Sequence, residues 1–270
     1  MHLDPLTTLS WAYQLHYYLC FRTRSRHAIS NLQLSDVLEE VSNRHDYHLL
    51  KSQQYPDHVR LLMSLRPVHR ISDVILKLKA NSSRELNLGD GFWQRGYLAK
   101  SVGRVRIDNV KAYIAEQSEH HGYANRLLPP VYRYRAEHQA KLRASHASFE
   151  LTHHLVFATR NRVGVFDSTL GEKLTTYWLR VATLRGFAID RVTIVPDHSH
   201  LLVRTAPKLG IEACALSLLN NGQYFIGKNY PEALVRAGIH SLWQPSAYAG
   251  TTGSYTTALV KKFLSEQVVG

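Results

Sequence analysis

The 270-residue sequence is short of acidic residues, has few cysteines and contains no long apolar run, and each shortage excludes something. Only 21 Asp and Glu stand against 33 Lys and Arg, which leaves a formal charge of +12 with all 16 histidines neutral. Such an imbalance points to a polyanionic partner. It is not confined to a tail. The first 135 residues hold 19 basic and 12 acidic side chains and the rest hold 14 and 9, so the two halves carry +7 and +5. The two cysteines, Cys20 and Cys214, lie far apart in apolar surroundings without CxxC or Cys/His spacing, which excludes a disulfide framework and argues against a zinc site. Both read as small core residues. No apolar stretch approaches the roughly 18 residues needed to cross a bilayer. The opening Met1-His-Leu-Asp-Pro has neither the charged start nor the apolar core of a signal peptide. No membrane partner is expected, and the cytoplasm is the expected location. With 44% hydrophobic and 20% charged residues, the chain is globular, long enough for one large or two small domains.

What is present is a repeat. Leu15-His-Tyr-Tyr-Leu-Cys-Phe-Arg-Thr-Arg-Ser-Arg26 aligns with Leu151-Thr-His-His-Leu-Val-Phe-Ala-Thr-Arg-Asn-Arg162 at an offset of 136. Tyr55-Pro-Asp-His-Val-Arg-Leu-Leu-Met63 aligns with Val195-Pro-Asp-His-Ser-His-Leu-Leu-Val203 at an offset of 140. Trp93-Gln94 and Gly103 align with Trp243-Gln244 and Gly253 at an offset of 150, as Val110-Lys-Ala-Tyr-Ile-Ala-Glu-Gln117 does with Val260-Lys-Lys-Phe-Leu-Ser-Glu-Gln267. Three blocks in one order, with offsets that drift only through loop insertions, describe a duplicated domain. Leu127-Leu-Pro-Pro130 breaks periodicity and a basic, polar stretch follows. The expected division is residues 1–127, a basic linker over 128–148, and residues 149–270.

Each copy reads strand, helix, strand, helix, strand or loop, helix. Helical stripes are marked by Leu34, Val37, Leu38 and Val41, by Ile71, Val74, Ile75 and Leu78, by Leu174, Tyr177, Val181 and Leu184, and by Ile211, Leu216 and Leu219. The expected class is α+β, with helices on one face of an antiparallel sheet.

Two segments can carry chemistry. Residues 196–204 alternate as a strand, so His198 and His200 share a face as a pair of imidazole donors for a divalent ion, while Ser199 and Leu201 point away. Decoration of a strand in a His-rich chain is the plain alternative. In the second segment, Asp108 can cap a helix in which Tyr113 and Gln117 lie one turn apart. A tyrosine hydroxyl can act as a covalent nucleophile and a glutamine carbonyl as a metal ligand. An apolar stripe that includes a tyrosine is the alternative there.

These blocks in this order resemble the single-tyrosine HUH transposases of bacterial insertion sequences and repeat-associated elements, over nearly the whole chain. The resemblance implies two tandem ferredoxin-like domains, a His pair on a central strand, and a C-terminal helix presenting the Tyr and Gln. It implies cleavage of single-stranded or hairpin DNA with Mg²⁺ or Mn²⁺ through a covalent 5′-phosphotyrosine, in the nucleoid of the bacterial cytoplasm. Members are usually dimers whose sites can combine the histidines of one subunit with the tyrosine helix of the other.

The departures from that pattern are complementary. The first copy keeps His58 but has Arg60 in place of the second histidine, and a permanent cation cannot ligate a metal. The second copy keeps both histidines but has Phe263 in place of the tyrosine. If the helix is exchanged between copies, His198, His200, Tyr113 and Gln117 form one whole site, and His58, Arg60, Phe263 and Gln267 form one degenerate site. The expected protein is an intramolecular pseudo-dimer that works as a monomer. Arg22, Arg24, Arg26, Arg104, Arg106, Lys111, Arg160 and Arg162 are the expected DNA contacts. Tyr97, Trp93, Trp243 and Tyr248 are possible base-stacking residues, with the tryptophans equally readable as loop anchors. Ser199 stands where the family's middle position is normally hydrophobic. An inactive, domesticated DNA-binding protein is the rival reading. A sheet-based RNA-binding module is a third, but it calls for exposed strand aromatics, and 192–204 shows no such pattern.

Overall fold

A computed structural model describes residues 4–24, 29, 33–103 and 129–266. In chain order these form β1 (Ser10–Gln14), β2 (His16–Arg22), α1 (Leu34–Arg44), β3 (His48–Gln54), β4 (His58–Ser64), α2 (Ile71–Glu85), β5 (Tyr97–Val102), β6 (Tyr132–Arg135), β7 (Ala147–Glu150), β8 (Thr152–Thr159) and a 3-10 turn (Arg160–Arg162). They continue as α3 (Ser168–Arg185), β9 (Ala188–Val195), β10 (His198–Arg204), α4 (Ile211–Asn229), α5 (Pro231–Arg236), β11 (Trp243–Thr252) and α6 (Thr257–Glu266). The fold is mixed α+β, with two sheets and six helices among the described residues.

One sheet runs β3-β4-β2-β5-β7 and the other β6-β9-β10-β8-β11-β1. The order β3-β4-β2-β5 thus recurs as β9-β10-β8-β11, as the repeat requires. Strand alternation sends Val59, Leu61 and Met63 of β4, and Ser199, Leu201 and Val203 of β10, into fully buried positions under the helices. Against the first sheet, α1 buries Leu34, Leu38 and Val41, and α2 buries Ile71, Val74, Ile75 and Leu78. In the second copy the buried stripes sit elsewhere than spacing alone suggests. In α3 the buried large residues are Leu170, Leu174, Trp178 and Val181, while Tyr177 is half-buried against Phe225 and Leu184 is exposed. In α4, Ile211, Cys214, Leu218 and Leu219 are buried and Leu216 is half-buried. The indole of Trp178, stacked on Trp243 at 5.7 Å, fixes which face of α3 turns inward. Asp167 caps α3 by accepting the Leu170 N–H at 2.8 Å, and left-handed Gly186 ends it.

The two sheets are tied by reciprocal strand addition. β1 continues the direction of β2 past the single buried residue Leu15, yet pairs in parallel with β11 of the second copy. β7 continues into β8 past buried Leu151 and pairs in parallel with β5 of the first copy. At the crossing, equivalent residues make the same bonds in both directions. The Thr251 hydroxyl accepts the His16 N–H (2.8 Å) and donates to the Val102 carbonyl (2.7 Å), with the Gln14 carbonyl at 3.2 Å. The Ser101 hydroxyl accepts the Thr152 N–H (2.9 Å) and donates to the Thr252 carbonyl (2.5 Å), with the Glu150 carbonyl at 3.3 Å. Ser72 N–H donates to the Pro207 carbonyl and Glu212 N–H to the Pro67 carbonyl, again equivalent partners. At the centre, the buried Tyr17 hydroxyl meets Nε2 of its own equivalent, His153, at 2.9 Å.

The architecture corrects four expectations. The sheets are not purely antiparallel, because a strand that continues β2 or β8 reaches the other copy's edge in parallel. Helices do not stay on one face, since α6 lies on the opposite face of the first sheet. There Val260 and Leu264 pack with Leu62 and Val102, flanked by Tyr18 and Leu50. Cys20 is half-buried on that same face, where burial pushes its thiol pKa up against the pull of Arg60; only Cys214 belongs to the core. The stretch expected as a linker, 128–148, also holds β6, which pairs antiparallel with β9.

Burial lowers the His153 pKa to about 4. An unfolded histidine titrates near 6.5, so between those values the unfolded chain binds a proton that the native chain does not. Stability therefore falls as pH drops from about 6.5 towards 4, by about 1.4 kcal/mol per pH unit for this group. Urea unfolding across that window should show the slope, and it should be shallower in His153→Gln. A Cβ at Gly253 would run into the Ser101 carbonyl oxygen, which is backbone inside the crossing. Gly253→Ala is expected to cost about 3 kcal/mol in the same measurement.

Candidate metal and nucleophile site

The candidate site is built on β10, the strand between β8 and β9. Because alternate side chains leave opposite faces of a strand, His198 and His200 emerge together, with ring centroids 4.9 Å apart. Ser199 between them points down and is wholly buried, with no partner for its hydroxyl among the described residues. A hydrophobic side chain at this place would leave no such group behind, which is the physical sense of the family's usual residue.

The Pro196-Asp197 turn ahead of β10 is pinned by the Thr159 backbone N–H and hydroxyl, both donating to the Asp197 carbonyl at 2.9 Å. This aims the Asp197 carboxylate at the site. One oxygen lies 2.5 Å from His198 Nδ1 and the other accepts from Arg162 Nε at 3.0 Å. Burial alone would raise the Asp197 pKa, but the bond to His198 and the His198 and Arg162 charges outweigh it, and the net shift is downward. With Nδ1 held by Asp197, His198 has Nε2 for a metal, the carboxylate-histidine arrangement found behind metal ligands.

A residue missed by sequence reasoning completes this face. His154, on β8, lies opposite Leu202 in register and places Nε2 3.0 Å from His200 Nδ1, the ring planes 19° apart and their centroids 5.2 Å apart. Burial lowers the His154 pKa to about 4. Tyr248 of β11 meets His154 edge-on at 5.9 Å. The signal was present in the first repeat block, where His154 alternates with the inward-facing Leu155 and aligns with Tyr18. Among the described residues, no group of three or more His, Cys, Asp or Glu side chains is placed to hold a metal. Two imidazoles fit a divalent cation as part of a donor set that another group must complete.

The equivalent face of the first copy is closed. His58 Nδ1 lies 2.7 Å from the Asp57 carboxylate, repeating the second copy, but the Tyr55 ring stacks flat on His58 at 4.3 Å. The Arg60 guanidinium covers Tyr55 at 4.4 Å and donates to its hydroxyl at 3.0 Å. Where the second copy has two imidazoles, the first has a filled stack carrying a fixed cation. The seat of α6 is this same face, beside Leu62.

Tyr113, Gln117, Arg26, Arg104, Arg106, Lys111 and Gln267 lie outside the described residues, as does the side chain of Phe263. Arg22, Arg24, Arg160 and Arg162 are exposed. Arg22 ends β2 opposite His58, and Arg162 is engaged with Asp197. Trp93 and Trp243 are buried anchors, Trp93 donating to the Ser82 hydroxyl at 3.1 Å, whereas Tyr248 is 38% exposed and Tyr97 half-buried. No described helix is long and apolar enough to cross a membrane.

Comparison with known proteins agrees with the repeat. The chain is 25% identical over 123 residues to the ISDra2 transposase TnpA of Deinococcus radiodurans, covering 40% of this chain and 88% of that protein. The crystal structure of a candidate transposase from Deinococcus radiodurans is 26% identical and covers 39% of this chain and 92% of its own, with a TM-score of 0.32. A relative of about half this length, matched over most of its own, is what a duplicated chain should meet. The model of the family described as "Transposase IS200 like" matches twice, at residues 11–117 and 147–267, and the chain therefore belongs to the IS200-like transposases.

Proposed function

We propose that the chain nicks and rejoins single-stranded or hairpin DNA at one composite active site, made by two tandem ferredoxin-like domains, 1–127 and 149–270, that form an intramolecular pseudo-dimer and act as a monomer. The second copy contributes His198 and His200, and the first contributes Tyr113 and Gln117. The observation that carries this reading is the seat of α6. The C-terminal helix of the second copy leaves its own sheet at Gly253, crosses where Thr257 N–H donates to the Gly103 carbonyl at 2.8 Å, and packs on the first copy's sheet, on the face of His58 and Arg60. At the strand crossing beside it, the bonds of Thr251 and Ser101 are matched in both directions. The same crossing made by the first copy's helix would bring residues 110–117 to the face of His198 and His200.

In the reaction, the Tyr113 hydroxyl attacks phosphorus, forming the phosphotyrosine ester as the bond to the 3′ oxygen breaks and that oxygen leaves as a 3′-OH with the phenol's proton returned to it. A second 3′-OH then attacks the ester, restores the phosphodiester and frees the tyrosine. His198, His200 and Gln117 would hold Mg²⁺ or Mn²⁺, which when bound would polarise the scissile phosphate and stabilise charge at the departing oxygen. Asp197 orients His198, and Ser199 and Leu201 anchor the strand from below. Arg22, Arg24, Arg26, Arg104, Arg106, Lys111, Arg160 and Arg162 hold the DNA backbone through its phosphates. With Phe263 in the other helix and the Arg60 stack in the other sheet, one strand is held covalently at a time.

Incubation of labelled hairpin DNA carrying its flanking single strands with Mn²⁺, followed by denaturing electrophoresis, tests this directly. Wild type should give a covalent protein–DNA adduct that chelator abolishes. Tyr113→Phe and His198→Ala should reduce it to background, and His58→Ala should leave it intact. An adduct undiminished in Tyr113→Phe, or none from wild type with any flanking sequence, overturns the reading.

A further inference from the structure

The hydrogen bond between His154 and His200 assigns His154 a task that rests on the His198 and His200 metal reading. We infer that His154 is a positioning residue: its Nε2 accepts the Nδ1–H of His200, locking the tautomer and ring plane that present the His200 Nε2 lone pair.

The argument is geometric. A neutral imidazole has one N–H and one lone pair, and the bond at one nitrogen decides which the other carries. His200 Nδ1 is 3.0 Å from His154 Nε2. One of these two nitrogens donates and the other accepts. If His154 donates, the proton of neutral His200 is forced onto Nε2 and no lone pair is left to ligate. If His154 accepts, His200 carries its proton on Nδ1 and Nε2 is the donor to a cation. Only the second arrangement matches His198, whose Nδ1 faces a carboxylate and must carry the proton, again leaving Nε2. Both histidines then share one tautomer and approach a cation through the same atom. His154 is the neutral counterpart of Asp197, at one imidazole what the carboxylate is at the other.

The rings reinforce the bond. They lie nearly coplanar, with centroids 5.2 Å apart and planes 19° apart, as an in-plane N–H···N bond requires, and Tyr248 meets the edge of His154. The first copy supplies a comparison within the same chain. Its His58 keeps the aspartate partner, but where His200 becomes Arg60, His154 becomes Tyr18, with the pKa of its phenol pushed up to about 12 chiefly by burial. The imidazole acceptor is absent in the copy that lacks the imidazole it serves. His154 is not itself placed as a third ligand, since its Nε2 is spent on His200.

The first measurement needs no variant and no metal. Imidazole ¹⁵N shifts and couplings of the full-length protein near pH 7.5 should show His200 protonated on Nδ1 and His154 unprotonated on Nε2; the reverse assignment overturns the inference. The second is Mn²⁺ affinity, read by electron paramagnetic resonance of the free ion. His154→Phe keeps the ring and removes the acceptor, and should weaken binding about 10- to 100-fold. His154→Gln, whose carbonyl can accept the same N–H, should recover most of that loss. Full-strength binding by both variants, with binding lost in His200→Ala, overturns the role of His154 and leaves the metal pair standing. Binding that His200→Ala does not weaken instead overturns the metal reading on which the role rests. If His154→Phe does not fold, the tautomer assignment and His154→Gln decide.

Discussion

The structure depends on two small hydroxyl side chains. Ser101 and Thr251, equivalent positions in the two copies, each accept a backbone N–H from a strand entering from the other copy and return a bond to a carbonyl across the crossing. Buried backbone groups must be paired, and at this crossing the regular ladders of both sheets end. Without a side chain that both accepts and donates, the N–H of His16 or Thr152 would be left unpaired at the junction. Everything with a chemical role sits downstream of that bond. β1 and β7 are guided to the other copy's edge, Gly253 can pass the Ser101 carbonyl because it has no Cβ, and α6 is delivered to the far sheet.

The two copies are alike in frame and unlike in what they expose on their open faces. In the second, Asp197 bonds His198 and His154 bonds His200, at 2.5 and 3.0 Å, and the two inner imidazoles stand ring to ring. In the first, the same backbone positions carry Asp57, His58, Arg60 and Tyr18, and Tyr55 fills the middle where the second copy has Val195. An aromatic ring pressed between an imidazole and a guanidinium is a packing solution, stabilised by stacking and by cation–π attraction. The exchange of one kind of interaction for the other needs no change in the strands.

Local periodicity made part of this legible. The side-by-side placement of His198 and His200 follows from the two-residue period of a strand, and α1 and α2 follow from apolar spacing at helical period. The duplicated blocks announced the strand order that recurs in the two sheets. What spacing cannot convey is which distant strand lies beside which. His154 reaches His200 across a register between strands 46 residues apart, so no window on β10 contains it. The parallel edges depend on contacts such as His16 with Thr251, 235 residues away, and on chain breaks of a single residue, Leu15 and Leu151. Leu174 and Val181 of α3 face inward as their spacing predicts, but Trp178, stacked on a tryptophan from another element, takes the place that the spacing assigns to Tyr177.

The crossing has a further consequence because its partners share one backbone. When strands are traded between separate subunits, the fraction correctly joined depends on how much protein is present, and dilution undoes it. Here Gln14, Ser101, Glu150 and Thr251 belong to a single covalent chain, so joining is a folding step with a fixed effective concentration set by the intervening residues. At a few copies per cell the two halves are as fully engaged as in a concentrated solution.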